Sequence, residues 1–226
     1  MNANVPSWNN QVTRLANAYM TAKEMVIQSG FAHEIDWQHN LSFDAVTESN
    51  FLREAAWVIL SAGMRESVIR SKFTAISAAF CNWVAAEQIL AQKYHCRNDA
   101  LMVFGNARKI DSILDIAAEV TEKRFAAVRR LLEKDGIGYI RQLPFMGPAT
   151  SYHLAKNLGL QVVKPDRHLV RVARKTGYRS PDALCREIAL VVGDKIAVID
   201  LVIWRYATLN RDYLGLFSFQ AEEKCA

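Results

Sequence analysis

Residues 137–159 read IGYIRQLPFMGPATSYHLAKNLG. A short helix is predicted to end near Leu143, because Pro144 has no amide hydrogen with which to continue the ladder. Gly147 gives the backbone freedom to turn, and Pro148 suits the first turn of a new helix. Ala149, Tyr152, Ala155 and Leu158 are expected along one side of that helix. A tight L-P-x-x-G turn between two helices has a specific physical use. The amides of the turn and of the second helix's N-terminus converge, with positive potential and unpaired donors, on a place that suits a phosphate. Such a grip holds a nucleic-acid backbone and is blind to base sequence. A plain packing joint between helices, without a ligand, uses the same residues.

The chain continues as GLQVVKPDRHLVRVARKTG over residues 159–177. Pro165 keeps the residue before it extended, and Asp166 falls where Leu169, Val170, Val172 and Ala173 begin a new helix. An aspartate there accepts first-turn amides, which with the helix dipole favour its ionised form. Read alone, it is a cap worth ~1 kcal/mol.

The rest of the chain reads as almost all helix, with only 10 glycines and 5 prolines in 226 residues and no alternating strand pattern. Helices are predicted over residues 9–28, 51–62, 66–83, 86–93, 100–104, 109–122, 125–134, 181–191 and 195–209, the 181–191 helix capped by Ser180. A short, polar segment containing Trp37 follows the first helix, and the tail 220–226 is expected to fray. A hydrophobic content of 51% is ample for a core, in one large domain or two small lobes. No apolar run approaches the ~20 residues that cross a bilayer, and the polar start MNANVPSWNNQ is unlike a secretory signal. The expected location is the cytoplasm, with no membrane partner. Cys81, Cys96, Cys185 and Cys225 form no CxxC pair, so no metal, iron–sulfur cluster or other cofactor is expected and the thiols read as reduced. The net charge of +5 is attractive to phosphate backbones or anionic membranes.

The hairpin and the aspartate together resemble the helix-hairpin-helix, Gly/Pro–Asp superfamily of DNA glycosylases. The matching residues are Leu143, Pro144, Gly147 and Thr150, then Pro165, Asp166, His168, Arg171 and Val172. The D-x-H-x-x-R-V segment is similar to endonuclease III, and FMGPATSYHLAKNLGL (145–160) is similar to bacterial 3-methyladenine glycosylase I. REAAWVILSAGMRESVIRSKFTAI (53–76) resembles the helix pair that carries the superfamily's base-displacing loop. The similarity spans roughly residues 51–210.

The resemblance implies an all-α, two-lobed helical bundle of the helix-hairpin-helix glycosylase type with a cleft between the lobes. Residues 51–162 form the central lobe with the hairpin; residues 1–50 and 163–226 form the second lobe. It implies a monomer acting on double-stranded DNA. A base is extruded into a pocket, and Asp166 stabilises positive charge on the sugar while orienting or deprotonating water. Leu143, Phe145, Gly147, Ala149, Thr150 and Arg167 would hold the strand, with Arg174 and Lys175 as further phosphate contacts. His168 and Arg171 would brace the aspartate. Met64 and Arg65, in the loop at Gly63, are the wedge candidates; Trp57 and Tyr152, with Trp83 and Trp204 as weaker options, are the stacking candidates. Glu54 and Glu66, and the run Arg129, Arg130, Lys134, read as surface groups.

Two positions depart from the pattern. Ala149 stands where bifunctional members carry a lysine, which argues against Schiff-base chemistry; Lys164 is either a substitute amine or a phosphate contact. Phe145 replaces the first glycine of L-P-G-x-G. The favoured substrate is an alkylated purine. The alternatives are hypermodified cytosine in phage DNA, which makes the protein a defence factor, or a DNA-binding module without chemistry. Retention of Asp166 within D-x-H-x-x-R speaks against the last.

Overall fold

The computed structural model describes residues 10–218; the predicted fraying of 220–226, the start of the first helix at Asn9, and Cys225 lie outside them. The protein is all-α, with no strand among the described residues. In chain order the helices are α1 (Asn10–Val26), α2 (Ala32–Asn40), α3 (Glu48–Ser61), α4 (Glu66–Ala79), α5 (Ala86–Ala91), α6 (Lys93–Val103) and α7 (Ala107–Lys123). There follow α8 (Phe125–Ile140), α9 (Pro148–Asn157), α10 (Arg167–Lys175), α11 (Pro181–Val192), α12 (Ile196–Leu209) and α13 (Tyr213–Leu216). None of them is long and apolar enough to cross a membrane. The chain divides into two compact units, Leu41–Leu160 and Met1–Asn40 with Gln161–Ala226. These boundaries fall ten residues before, and two residues before, those read from the sequence.

The unit built from both ends of the chain packs α1, α2, α10 and α11 around α12. That helix is apolar on nearly every side, with Val198, Ile199, Val202 and Ile203 fully buried. Leu15 and Tyr19 of α1, Leu169 and Val172 of α10, and Leu184 and Ile188 of α11 complete the core. Ser180 caps α11 by accepting the Ala183 amide (3.1 Å). The Trp37 segment, read from the sequence only as short and polar, is helix α2. A left-handed Gly30 (φ 89°) turns the chain out of α1, after which Ile35 and Gln38 bury against the core. Only two residues of α2 bury, so its hydrophobic pattern is faint.

The contiguous unit is organised by α3, which packs on α7 and α9. Its start is fixed by a capping box: the Asn50 amide donates to Thr47 Oγ1 and the Thr47 amide to Asn50 Oδ1, both at 3.2 Å. Helix α4 stops at Ala79, short of the predicted Trp83. Cys81, Asn82 and Trp83 all take left-handed φ (54°, 51°, 64°), which costs L-residues roughly 1–2 kcal/mol each. The Trp83 ring stacks on Phe80 in the interior and its indole N–H bonds Ser77 (2.9 Å), so it is core rather than a stacking platform. Helix α8 runs past Lys134 through a kink at Asp135, whose carboxylate caps the Gly138 amide (3.0 Å). Arg129 is not simply solvated: it bonds Glu133 (3.2 Å) and the Asp44 carbonyl (3.0 Å). Gly159 ends α9 with φ 84°, and a Cβ there would lie 2.7 Å from the Phe43 nitrogen.

Candidate functional site

The hairpin turn follows from its residues. Leu143 and Met146 are buried and anchor it, and the Met146 amide closes it on the Leu143 carbonyl (3.2 Å). Gly147 is extended (φ −82°, ψ −173°) and opens α9, with Pro148 in the first turn and no side-chain cap. The Thr150 hydroxyl folds back to bond the carbonyls of Phe145 and Gly147, both at 3.2 Å. Gly147 and Ala149 are exposed, and the amides of Gly147, Ala149 and Thr150 have no acceptor among the described residues. The side of α9 that buries is Ser151, Leu154, Ala155 and Leu158. That corrects the expected 149–152–155–158 face: i, i+3, i+4, i+7 is the helical stripe. Ala149 is left outside and Tyr152 half-buried.

Phe145 occupies left-handed backbone at φ 65°, which explains why glycine suits this position. Two cations stand near its ring, the Arg108 guanidinium 5.5 Å and the Lys109 ammonium 5.6 Å from its centroid. Phe145→Ala loses the ring and keeps the strained backbone, whereas Phe145→Gly loses the ring and relieves the strain. Chemical denaturation is expected to find the alanine variant less stable than the glycine variant by roughly 1–2 kcal/mol; equal stabilities would contradict this account of the turn.

The loop from α3 to α4 is also in this unit. Gly63 is left-handed (φ 70°), and Gly63, Met64 and Arg65 are all exposed. Trp57, one helical turn before the loop, is half-buried, with its ring edge-on to Phe73 (5.0 Å) and under Arg70 (5.7 Å). Glu54 is buried rather than a surface group. It accepts from Asn157 Nδ2 (2.9 Å) and pairs with Arg53 (2.9 Å), tying α9 to α3, and burial pushes its carboxyl above the usual range. Glu66 pairs with Arg70.

In the other unit, Asp166 caps α10. Its Oδ1 accepts the amides of His168 (2.8 Å) and Leu169 (2.9 Å). The side chain is half-buried, and Oδ2 has no partner among the described residues. A three-residue turn around Pro165 brings it there, the Asp166 amide donating to the Lys164 carbonyl (2.8 Å). The Lys164 amide in turn donates to Oδ2 of Asp200 (2.5 Å), a buried carboxylate midway along α12. Sequence reading passed over Asp200, although one acid inside IAVIDLVIW (196–204) is a visible anomaly. His168 packs edge-on against Tyr213 (5.2 Å) in the first turn of α10, and burial lowers its pKa. Arg171, expected as a second brace, is exposed without an ion-pair partner among the described residues. With Arg167, Arg174 and Lys175 it forms a basic stripe along α10. Trp204 lies under the Arg205 guanidinium (4.6 Å), which leaves it a packing role.

No model of a known protein family matches this chain, and no curated protein matches it either. Among the described residues no group of three or more His, Cys, Asp or Glu side chains could hold a metal ion. Cys81 and Cys96, far apart in sequence, are free thiols with sulfurs 3.9 Å apart. One unit presents an oriented carboxylate beside a cationic helix face, and the other a turn with open amides.

Proposed function

We propose that the protein is a monofunctional DNA glycosylase with the two-lobed helix-hairpin-helix arrangement, acting as a monomer on double-stranded DNA in the cytoplasm. The observation that carries this is Asp166 itself: a carboxylate fixed through one oxygen by two amides, with the other oxygen uncommitted. A purely structural cap needs nothing further, but here the cap opens a helix whose outer face is four cations. The hairpin amides receive a backbone phosphate and the α10 stripe adds counter-charge. The base is unstacked and extruded at a cost of a few kcal/mol, least for damaged or mispaired bases. As the N-glycosidic bond breaks, the free oxygen of Asp166 stabilises the cationic sugar and orients water. Ala149 offers no amine, so the products are a free base and an abasic site. The favoured substrate is an alkylated purine, from the likeness of residues 145–160 to 3-methyladenine glycosylase I; hypermodified cytosine is the second choice.

Binding to duplex DNA, measured by fluorescence anisotropy across a salt series, is expected to weaken linearly on a log–log plot. Arg174→Ala should reduce the slope by about 1. A flat salt response contradicts a backbone grip.

A further inference from the structure

We propose that Lys109 is a positioning residue that couples the Gly63–Met64–Arg65 loop to the hairpin turn, so that strand gripping and base displacement act as one event. This rests on the glycosylase reading above. Lys109 lies in the first turn of α7, its amide capped by Asn106 (3.2 Å), where a lysine ordinarily points to solvent. Instead the whole residue is 4% exposed. Its ammonium donates to the carbonyls of Leu60 and Ala62, both at 2.6 Å. These belong to the end of α3, where carbonyls lack helical partners and the dipole favours a cation. The same ammonium stands 5.6 Å from the Phe145 ring and 5.8 Å from that of Phe104.

Burying an ammonium is costly unless it is paired, and an apolar side chain would fill this space without that cost. What the amine adds is a fixed relation between two segments that are otherwise a loop and a turn. One is the carbonyl at Ala62, from which the displacing loop departs. The other is the left-handed residue of the hairpin, Phe145, which Arg108 clamps from the adjacent position. With both hydrogen bonds committed to carbonyls, the amine is a brace and not a nucleophile. Held this way, binding energy gained at the phosphate is spent on keeping Met64 and Arg65 in the gap left by the base.

The test uses the full chain with Lys109→Met and Lys109→Arg, read in two ways. Hydrogen exchange of the free protein is expected to rise in peptides covering 60–66 and 143–147 for Lys109→Met, and to stay near wild type for Lys109→Arg. The second probe is a duplex carrying 2-aminopurine next to a mismatched adenine, whose fluorescence rises when the neighbour unstacks. At saturating protein, Lys109→Met is expected to lose at least about fivefold of the wild-type rise while Kd changes less, and Lys109→Arg to retain it. Unchanged exchange, or an undiminished rise in Lys109→Met, overturns the proposal while leaving the glycosylase reading in place. A wild type that binds this duplex with no rise overturns the reading and the coupling role together. Should Lys109→Met not fold, Phe145→Leu removes the ring's contacts with Lys109 and Arg108; read at saturating protein, with Kd measured alongside, a lost rise supports the coupling and a full rise overturns it.

Discussion

Asp166→Asn is expected to bind duplex DNA about as tightly as the wild-type protein and to release base more slowly by roughly 10²–10³-fold or more. The asparagine keeps an oxygen at the Oδ1 position, so the amides of His168 and Leu169 remain capped and α10 starts where it did. The loss of cap strength is ~1 kcal/mol at most. The negative charge is gone, and with it the group proposed to stabilise the cationic sugar. Single-turnover base release set beside anisotropy titrations separates the two effects. Equal turnover by the variant removes Asp166 from the mechanism.

Asp200→Ala is expected to lose about 1.5–3 kcal/mol of stability in urea denaturation, the range for a hydrogen bond to a charged group. The Lys164 amide, which donates to Asp200 Oδ2 at 2.5 Å, is left without that acceptor two residues before Asp166. The consequence for chemistry is larger than for binding, because the loosened turn carries the carboxylate and not the phosphate grip. Single-turnover base release should fall at least tenfold, about 1.4 kcal/mol in the barrier, with a much smaller change in Kd. Asp200→Asn retains an acceptor oxygen and should restore most of the rate. An alanine variant with unaltered base release would reduce Asp200 to a core residue.

The hairpin was legible because its rules are local: Pro144 stops a helix, Gly147 turns, Pro148 starts the next. Asp166 was legible for the same reason, since Pro165 and the apolar spacing after it mark a helix start. The glycine pattern at 145 becomes intelligible only with φ 65° in hand. Lys109 was hidden because its acceptors, Leu60 and Ala62, lie 49 and 47 residues earlier, and a lysine in a first turn reads as solvated. Asp200 announced itself within an apolar run, but its partner is 36 residues away. The left-handed run at 81–83 carries no glycine and so no local signal. Helix α2 buries too little to show a period. Short-range chemistry was available from the residues; long-range pairing of polar groups with backbone was not.

The most direct measurement is mass spectrometry of free bases released from a panel of alkylated, deaminated, oxidised and phage-modified duplexes, with the DNA examined in parallel for abasic sites and nicks. The wild-type protein should liberate one class of intact base, leave unbroken abasic strands, and lose this activity in Asp166→Asn. Release of no base from any duplex, or release that survives the loss of the Asp166 charge, contradicts the assignment.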